Sequence, residues 1–486
     1  MKREPDGPDA AQAGAAPTDP PTVTGPPGTA PRLIIPLVVA CAFMMENLDS
    51  TIIGTAIPVI ADGFGEPPLA LSLAVTSYLI SLAVFIPVSG WLADRFGTRN
   101  VFISAIVVFT LGSAACAASD SLTMLVLSRL LQGSGAAMMS PVGRLVILRS
   151  FPRSQYVVAM SYVTIPALIG PAMGPLLGGF IVTHWSWRWI FLVNIPVGLI
   201  GIVMAAIFFE NHKLAARTRF DLPGIVLCGG GLAALVLALE SVGRAVLPPA
   251  LDAVLGAAAV VLLSAYVWHA ARSVDPVLDL RLLRFRTFRM AVGAGMLCRI
   301  AFGSIPFTLP LLFQLGFGLS PLQSGSLTFV TAAGALALKT IAPKVLRRFG
   351  FKRLLVVNGA ITGAMMMGFA LFGPETPHWA ILATLGTFGF FRSLQFTCIN
   401  ALSYADLPDD RLSRGTSFAS MAQQLSVALG VALAATLIAV YGRLAPDTVT
   451  GFHWTLMTVG LLPLIAAGWF SRLTADDGRQ LLDGKG

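Results

Sequence analysis

Apolar residues fall into fourteen long runs, at roughly 33–60, 70–92, 100–118, 122–148, 156–182, 188–209, 221–241, 247–269, 288–314, 321–345, 353–372, 378–404, 412–440 and 450–472. As a helix, each is long enough to cross about 30 Å of hydrocarbon. A helix satisfies its own backbone hydrogen bonds there, which an open strand does not. The pattern therefore predicts an all-α membrane protein with fourteen spans. Residues 1–31 break it, being rich in Pro, Gly, Ala and Asp with no apolar core, and read as a disordered tail. The first run extends past Asp49 with no small-residue cleavage site at its end, so it reads as a retained helix and not a signal peptide.

Charge between the runs sets the expected orientation. Of the 33 Lys and Arg, twenty-five lie in alternate segments beginning with the N-terminal tail, and only Arg188, Arg244 and Arg443 lie in the opposite ones. Lys and Arg are retained on the cytoplasmic side, which places both termini there. The remaining five, Arg129, Arg144, Arg299, Lys339 and Arg392, fall inside predicted helices. A composition of 55% hydrophobic and 12% charged residues leaves too little polar surface to cover a soluble globule. The net charge of +9 is spread through short loops, which argues against a nucleic-acid-binding face. The five cysteines lie in apolar runs with no CxxC and no nearby His, so free thiols and no metal site are expected.

One loop stands out. Gly90 to Asn100 reads GWLADRFGTRN, a charged, glycine-closed reversal between two apolar runs. Asp94, Arg95 and Arg99 would be costly in hydrocarbon, which puts this turn at the membrane surface, with Gly97 allowing the reversal. A second copy, RRFGFKR at Arg347 to Arg353, occupies the equivalent place later in the chain, with Arg347 where Asp94 stands. Such a repeat suggests two related six-helix bundles at 32–210 and 288–473, a linker with two extra helices at 211–287, and tails at 1–31 and 474–486.

The loop resembles the signature between helices 2 and 3 of the major facilitator superfamily, at Gly90, Leu92, Asp94, Arg95, Gly97 and Arg99. LDSTIIGTAIP, from Leu48 to Pro58, is similar to the first-helix motif of its fourteen-helix drug:proton antiporters, with Gly54 replacing the usual Asn. RLLQGSGAAMMSPVGR matches the fourth-helix motif at Arg129, Gln132, Gly133 and Gly135. GPAMGPLLGG resembles the antiporter motif at Gly170, Gly174, Pro175, Gly178 and Gly179. The resemblance implies the superfamily fold and proton-driven export by rocking of two halves. In that family the acid at Asp94 stabilises the outward-facing state against the start of the eleventh core helix, here near Arg411.

Independently of the resemblance, Gly170, Gly174 and Gly178 recur every four residues and share one helix face, where a neighbouring helix packs closely. Pro171 and Pro175 add kinks. Such a run is also ordinary small-residue packing.

Ionisable residues inside spans are expensive and usually functional. Glu46 and Asp49 share one face of the first helix at i and i+3. Two nearby carboxylates in low dielectric do not both ionise easily, so one is suited to carry a proton. The resemblance places an acid at Asp49, whereas Glu46 lies outside the motif. Asp49 also has a plainer reading as half of an ion pair with Arg129. Arg299, Lys339 and Arg392 make the second half cationic; facing a central cavity they would favour an anionic substrate, and reaching towards Glu46 and Asp49 they would serve proton release. Lys339 has a third option in snorkelling to the interface. Gln132 and Gln395 are further cavity candidates, with Asn400, Gln423 and Gln424 as additional polar contacts.

No phosphate loop, GxSxG elbow or HExxH helix occurs. The reading is a non-enzymatic, gradient-driven exporter of small molecules in a bacterial inner membrane. Its partners are a small-molecule substrate, protons and the lipid bilayer; it is expected to be monomeric and to need no cofactor or nucleic acid. Two alternatives stay open, an exporter dedicated to an organic anion or metal chelate, and a sensor that keeps the fold without transporting.

Overall fold

The computed structural model describes residues 31–151, 153–211, 221–244, 248–274, 276–338, 342–408, 411–474 and 477, all helix and connecting turns. The helices are α1 (Pro31–Phe64), α2 (Ser72–Phe96), α3 (Thr98–Ala117), α4 (Leu122–Ser150), α5 (Arg153–His184), α6 (Trp189–Leu192), α7 (Asn194–Phe208), α8 (Leu222–Arg244), α9 (Pro249–Arg272), α10 (Arg286–Leu311), α11 (Pro321–Leu338), α12 (Ala342–Gly368), α13 (His378–Tyr404), α14 (Leu412–Leu444) and α15 (Thr448–Phe470). Ten spans are long and apolar enough to cross a membrane among the described residues. α4 does not reach that hydropathy because Arg129, Gln132, Arg144 and a series of Gly and Ser interrupt it.

Two boundaries differ from the apolar pattern. The run at 188–209 divides into α6 and α7 around Val193. Pro196 lacks the N–H that would continue the ladder back to Leu192. The runs at 321–345 and 353–372 are separated inside α12, which breaks at Gly350 with φ 71° and ψ 166°. Gly97, in the first copy of the loop, has φ 94° and ψ 145°. Both glycines are thus in a backbone conformation that L side chains rarely adopt, so the sequence repeat is also a repeat of backbone shape.

The packing repeats as well. In the first part of the chain α1 lies along α5, and α4 touches both α2 and α3, with α7 against α3 and α1. In the second part α10 lies along α14, and α13 touches both α11 and α12, with α15 against α12 and α10. Each pairing has its counterpart, so the two parts are built to one plan. They meet through α5 on α11 and α2 on α14. α8 packs across the second of these seams, with the Thr436 hydroxyl donating to the Leu239 carbonyl at 2.7 Å, and α9 lies outside α8. Lys339 falls outside the described residues.

Glycines set the closest approaches. A Cβ at Gly135 would stand 2.5 Å from the Phe109 amide nitrogen and 2.7 Å from the Ala105 carbonyl oxygen, both backbone atoms of α3. Neither is able to swing away. Gly135→Val is therefore expected to destabilise the protein by about 1–3 kcal/mol through overpacking, read as a lowered melting midpoint of the detergent-solubilised protein by fluorescence-detected size exclusion. An unchanged midpoint would refute this account of the α3–α4 contact.

Candidate functional site

Asp49, midway along α1, is 1% exposed and sits opposite the completely buried Arg129 of α4. Arg129 Nη1 donates to Asp49 Oδ2 at 2.5 Å. The other carboxylate oxygen accepts from Gln132 Nε2 at 2.8 Å and from Asn194 Nδ2, at the start of α7, at 3.0 Å. Gln132 also donates to the Ser113 hydroxyl of α3 at 2.7 Å, while its amide oxygen accepts from Arg129 Nη1 at 2.7 Å. Arg129 Nε donates to the Ala74 carbonyl of α2 at 3.2 Å, and the guanidinium lies 4.1 Å above the Tyr78 ring. Five helices thus converge on one carboxylate.

The sequence around Arg129 explains how this is possible. A Cβ at Gly133 would strike the Tyr78 carbonyl of α2, one at Gly135 would strike the α3 backbone, and one at Gly112 would strike the backbone of Gln132 itself. The missing side chains let α4 wedge between α2 and α3, which carries Arg129 and Gln132 within hydrogen-bonding reach of Asp49. Burying two charges costs several kcal/mol each unless geometry and hydrogen bonds offset it. Here the carboxylate is satisfied on both oxygens, and the cation gains a ring face.

Beside this cluster lies a cavity of about 220 Å³, lined among others by Glu46, Tyr78, Pro171, Pro306 and Gln424. Glu46 faces it, and the Ser140 hydroxyl donates to Glu46 Oε2 at 2.5 Å. Tyr78 therefore belongs to both places, lining the cavity on one side and supporting Arg129 on the other. The shared face expected for Glu46 and Asp49 is divided: Glu46 lines the cavity, while Asp49 points into the helix bundle. The three-residue spacing rotates the second carboxylate far enough for α4 and α7 to enclose it.

A second cavity, about 100 Å³, is lined by Arg392 together with Thr55, Pro175, Thr328 and Thr331. Of the main cavity candidates from the sequence Arg392 lines this space, and of the additional polar contacts Gln424 lines the first one. Gln132 is committed to Asp49 and Ser113. Arg299 is 1% exposed, donates from Nη2 to Asn400 Oδ1 at 2.7 Å and lies near the Phe396 ring. Gln395 is fully buried, accepting from Asn358 at 2.8 Å and donating to the Leu355 carbonyl at 3.2 Å. These three are withdrawn from the cavities because each finds polar partners on a neighbouring helix, which open space lined by apolar groups does not supply. Lys339 lies outside the described residues.

The glycine-rich stretch faces α1 as its spacing implied. Cβ atoms at Gly170, Gly174 and Gly178 would meet Met44, Thr51 and Ile52 respectively. Gly179 faces the other part of the chain instead, where its Cβ would press on the backbone of Pro321 and Leu322 in α11, and Gly325 of α11 in turn sits on the Pro175 carbonyl. Gln314 Nε2 donates to the Thr55 carbonyl at 3.1 Å close by. Near Phe64, His184 and Pro321 the two parts are therefore in close contact.

At the opposite end Asp94 accepts from Arg149, at the end of α4, at 2.8 Å. Arg99 donates to the Ala206 carbonyl, and Arg95 lies 5.7 Å from the centre of the Trp91 ring. Arg414, one turn into α14, pairs with Asp279 at 3.7 Å.

Tyr78, Ser113, Ser140 and Asn194 were not singled out from sequence. Asn194 and Ser113 were accessible in principle, as polar residues inside apolar runs. Ser140 carries the same signal inside the run at 122–148, but its role and that of Tyr78 depend on which helices face one another.

The sequence matches the Major Facilitator Superfamily over residues 39–431, and again over 291–483. The chain belongs to that family. It is 39% identical over 446 residues to MdtD of Klebsiella pneumoniae subsp. pneumoniae, covering 91% of this chain and 94% of that protein. It is also 41% identical over 449 residues to MdtD of Cronobacter sakazakii, covering 90% and 94%. Both relatives are named for multidrug resistance. Among solved structures, a D-xylose-proton symporter superposes with a TM-score of 0.64 at 17% identity, over 92% of this chain and 98% of that one. A bacterial homolog of the lysosomal transporter Spinster does so with 0.63 at 14% identity, over 94% and 99%. These two share the fold. The chain is thus a multi-pass membrane transporter of this superfamily.

Breaking a buried pair by removing one charge leaves the other uncompensated, at a cost of about 3–5 kcal/mol. Asp49→Asn is therefore expected to melt well below wild type in detergent. Asp49→Asn combined with Arg129→Gln should recover much of that loss. A double variant no more stable than the single one would contradict the ion-pair account.

Proposed function

We propose that this chain is a proton-coupled antiporter that exports small molecules by alternating access, with Asp49 as the coupling carboxylate. The observation that carries the reading is the Asp49–Arg129 pair, buried in the bundle yet linked through Tyr78 to a cavity of about 220 Å³. A proton arriving at Asp49 neutralises the carboxylate and weakens its hold on Arg129. The guanidinium keeps the Gln132 and Ala74 oxygens and the Tyr78 ring, so its release is transmitted to a residue that lines the cavity. Glu46, on the cavity wall, supplies a second carboxylate to substrate or proton.

The contacts of Gly179 and Gly325 form the gate at one end. Following the Lys and Arg asymmetry, that end faces the periplasm, and both termini face the cytoplasm. In this arrangement α5 and α11 seal the periplasmic face, and the Gly170–Gly178 face lets α1 and α5 move as one body. Protonation of Asp49 from the periplasmic side releases substrate, and loss of the proton to the cytoplasm resets the carrier. The Asp94 loop, with Gly90, Arg95, Gly97 and Arg99, acts at the cytoplasmic end. The relatives' association with multidrug resistance supports a broad range of small substrates, carried by a monomer in the bacterial inner membrane.

The test is uptake of cationic, neutral and anionic compounds into inverted vesicles. Wild-type accumulation should collapse on adding a protonophore and be absent in Asp49→Asn. Accumulation that survives both would sink coupling at Asp49, and ligand binding without any flux would favour a sensor. In the same vesicles Gly179→Ala is expected to slow transport several-fold, because a methyl there meets fixed backbone of α11 and disfavours closure of the gate. Wild-type rates in that variant would argue against the gate.

A further inference from the structure

α4 carries Arg129-Leu-Leu-Gln132 and α13 carries Arg392-Ser-Leu-Gln395. The two helices are counterparts in the repeated packing, each wedged between the second and third helices of its part. Their glutamines behave alike, Gln132 binding Ser113 of α3 and Gln395 binding Asn358 of α12. Their arginines do not. Arg129 finds Asp49 on α1, whereas the counterpart of α1 is α10, which brings Ile305, Pro306 and Leu309 to the space beside Arg392 and no acid. Arg392 has no hydrogen bond or ion pair among the described residues. The hydroxyls of Thr328 and Thr331 beside it already donate to carbonyls of their own helix. A cation is thus held at membrane depth, facing a cavity, with no neutralising partner among the described residues, and such groups are costly unless something completes them.

We infer that the two cavities are one substrate site narrowed at Gly54, and that it takes an elongated zwitterion with a carboxylate on Arg392 and an amine on Glu46. The inference rests on the exporter reading and narrows its substrate. Thr51, Gly54, Pro171 and Pro306 line both cavities, so the spaces adjoin. A Cβ at Gly54 would come 2.7 Å from the Pro306 carbonyl oxygen and occupy the junction. This gives the departure from the usual Asn in the first-helix motif a physical role, that of an aperture. Their volumes, about 220 and 100 Å³, together reach the lower range of sites for drug-sized ligands.

The walls then select by charge. At one end the guanidinium suits a carboxylate, which accepts two parallel N–H bonds. At the other, Glu46 accepts from Ser140 through Oε2 and feels the Arg144 guanidinium of α4 without a direct ion pair among the described residues, which leaves Oε1 for an amine; the Gln424 amide beside it makes no hydrogen bond among the described residues. A purely cationic ligand leaves Arg392 unpaired, and a purely anionic one meets Glu46. Only a ligand bearing both charges, set apart along its length, completes both ends.

The experiment uses one scaffold, an aminomethyl-naphthoate, with its methyl ester, its N-acetyl derivative and the doubly blocked form. Binding to purified full-length protein is read by fluorescence titration, and flux by accumulation in inverted vesicles. Wild type should bind the zwitterion at least about tenfold more tightly than either singly blocked form, the scale of leaving a buried polar group unpaired. Arg392→Gln should erase the preference over the ester and keep that over the N-acetyl form, and Glu46→Gln should do the reverse. Arg392→Lys should restore part of the carboxylate preference. Melting midpoints report folding separately, and Arg392→Gln should not lower them, since it removes an unpaired buried charge.

Equal binding of all four forms by wild type, no binding of any, or an unchanged preference in Arg392→Gln overturns the inference. Protonophore-sensitive flux without charge discrimination overturns it while leaving the exporter reading intact. Selective binding without flux leaves it standing and removes the exporter reading.

Discussion

A carboxylate and a guanidinium placed in the apolar interior of a helix bundle are tolerable only if their surroundings offset most of the cost of burial, and this governs the first part of the chain. Asp49 has donors on both oxygens, Arg129 has acceptors on two of its nitrogens, and the Tyr78 ring covers its face. Arg129 Nη2 makes no hydrogen bond among the described residues, so the ring face and the ion pair offset part of the cost of burying the cation. The glycines at 112, 133 and 135 are consequences of that demand, because a methyl group at any of them would push α4 away from its partners. The same tightness suits the pair to coupling. On the proposed coupling, a proton at Asp49 acts where five helices meet.

The repeat supplies the frame in which this asymmetry has meaning. Both parts of the chain use the same helix pairings and the same glycine-broken turn, at Gly97 and Gly350. They differ in where charge is balanced. The first part neutralises its arginine internally. The second leaves Arg392 towards the cavity and ties Arg299 to Asn400. On the proposed reading, a proton site in one part and an open cationic position in the other keep coupling and recognition on separate helices, joined through the shared lining of α1, α5 and α10.

Much of this was legible before any coordinates. The apolar runs follow from the absence of water inside a bilayer, which forces each crossing to be a long helix; most helix ends lie within a few residues of the runs, and the larger departures fall where Pro196 divides a run and around the turn at Gly350. Arg129, Gln132 and Asp49 stood out because polar groups at membrane depth must earn their place. Arg299 and Gln395 stood out for the same reason but turned away from the cavities, since expense in hydrocarbon reveals that a group has a partner without revealing which.

The sequence by itself determined the helical membrane class and the repeated loop, which depend on hydrophobicity, period and spacing along one chain; its motifs carried the resemblance to the family, and it left the Asp49–Arg129 pair as one of two readings. The tertiary structure alone decided that Glu46 and Asp49 part company, that Tyr78 stands between ion pair and cavity, and that Gly54 joins two spaces. Each of those depends on the rotation of one helix against another. That rotation is set by many small contacts summed over distant segments, and no local pattern encodes it.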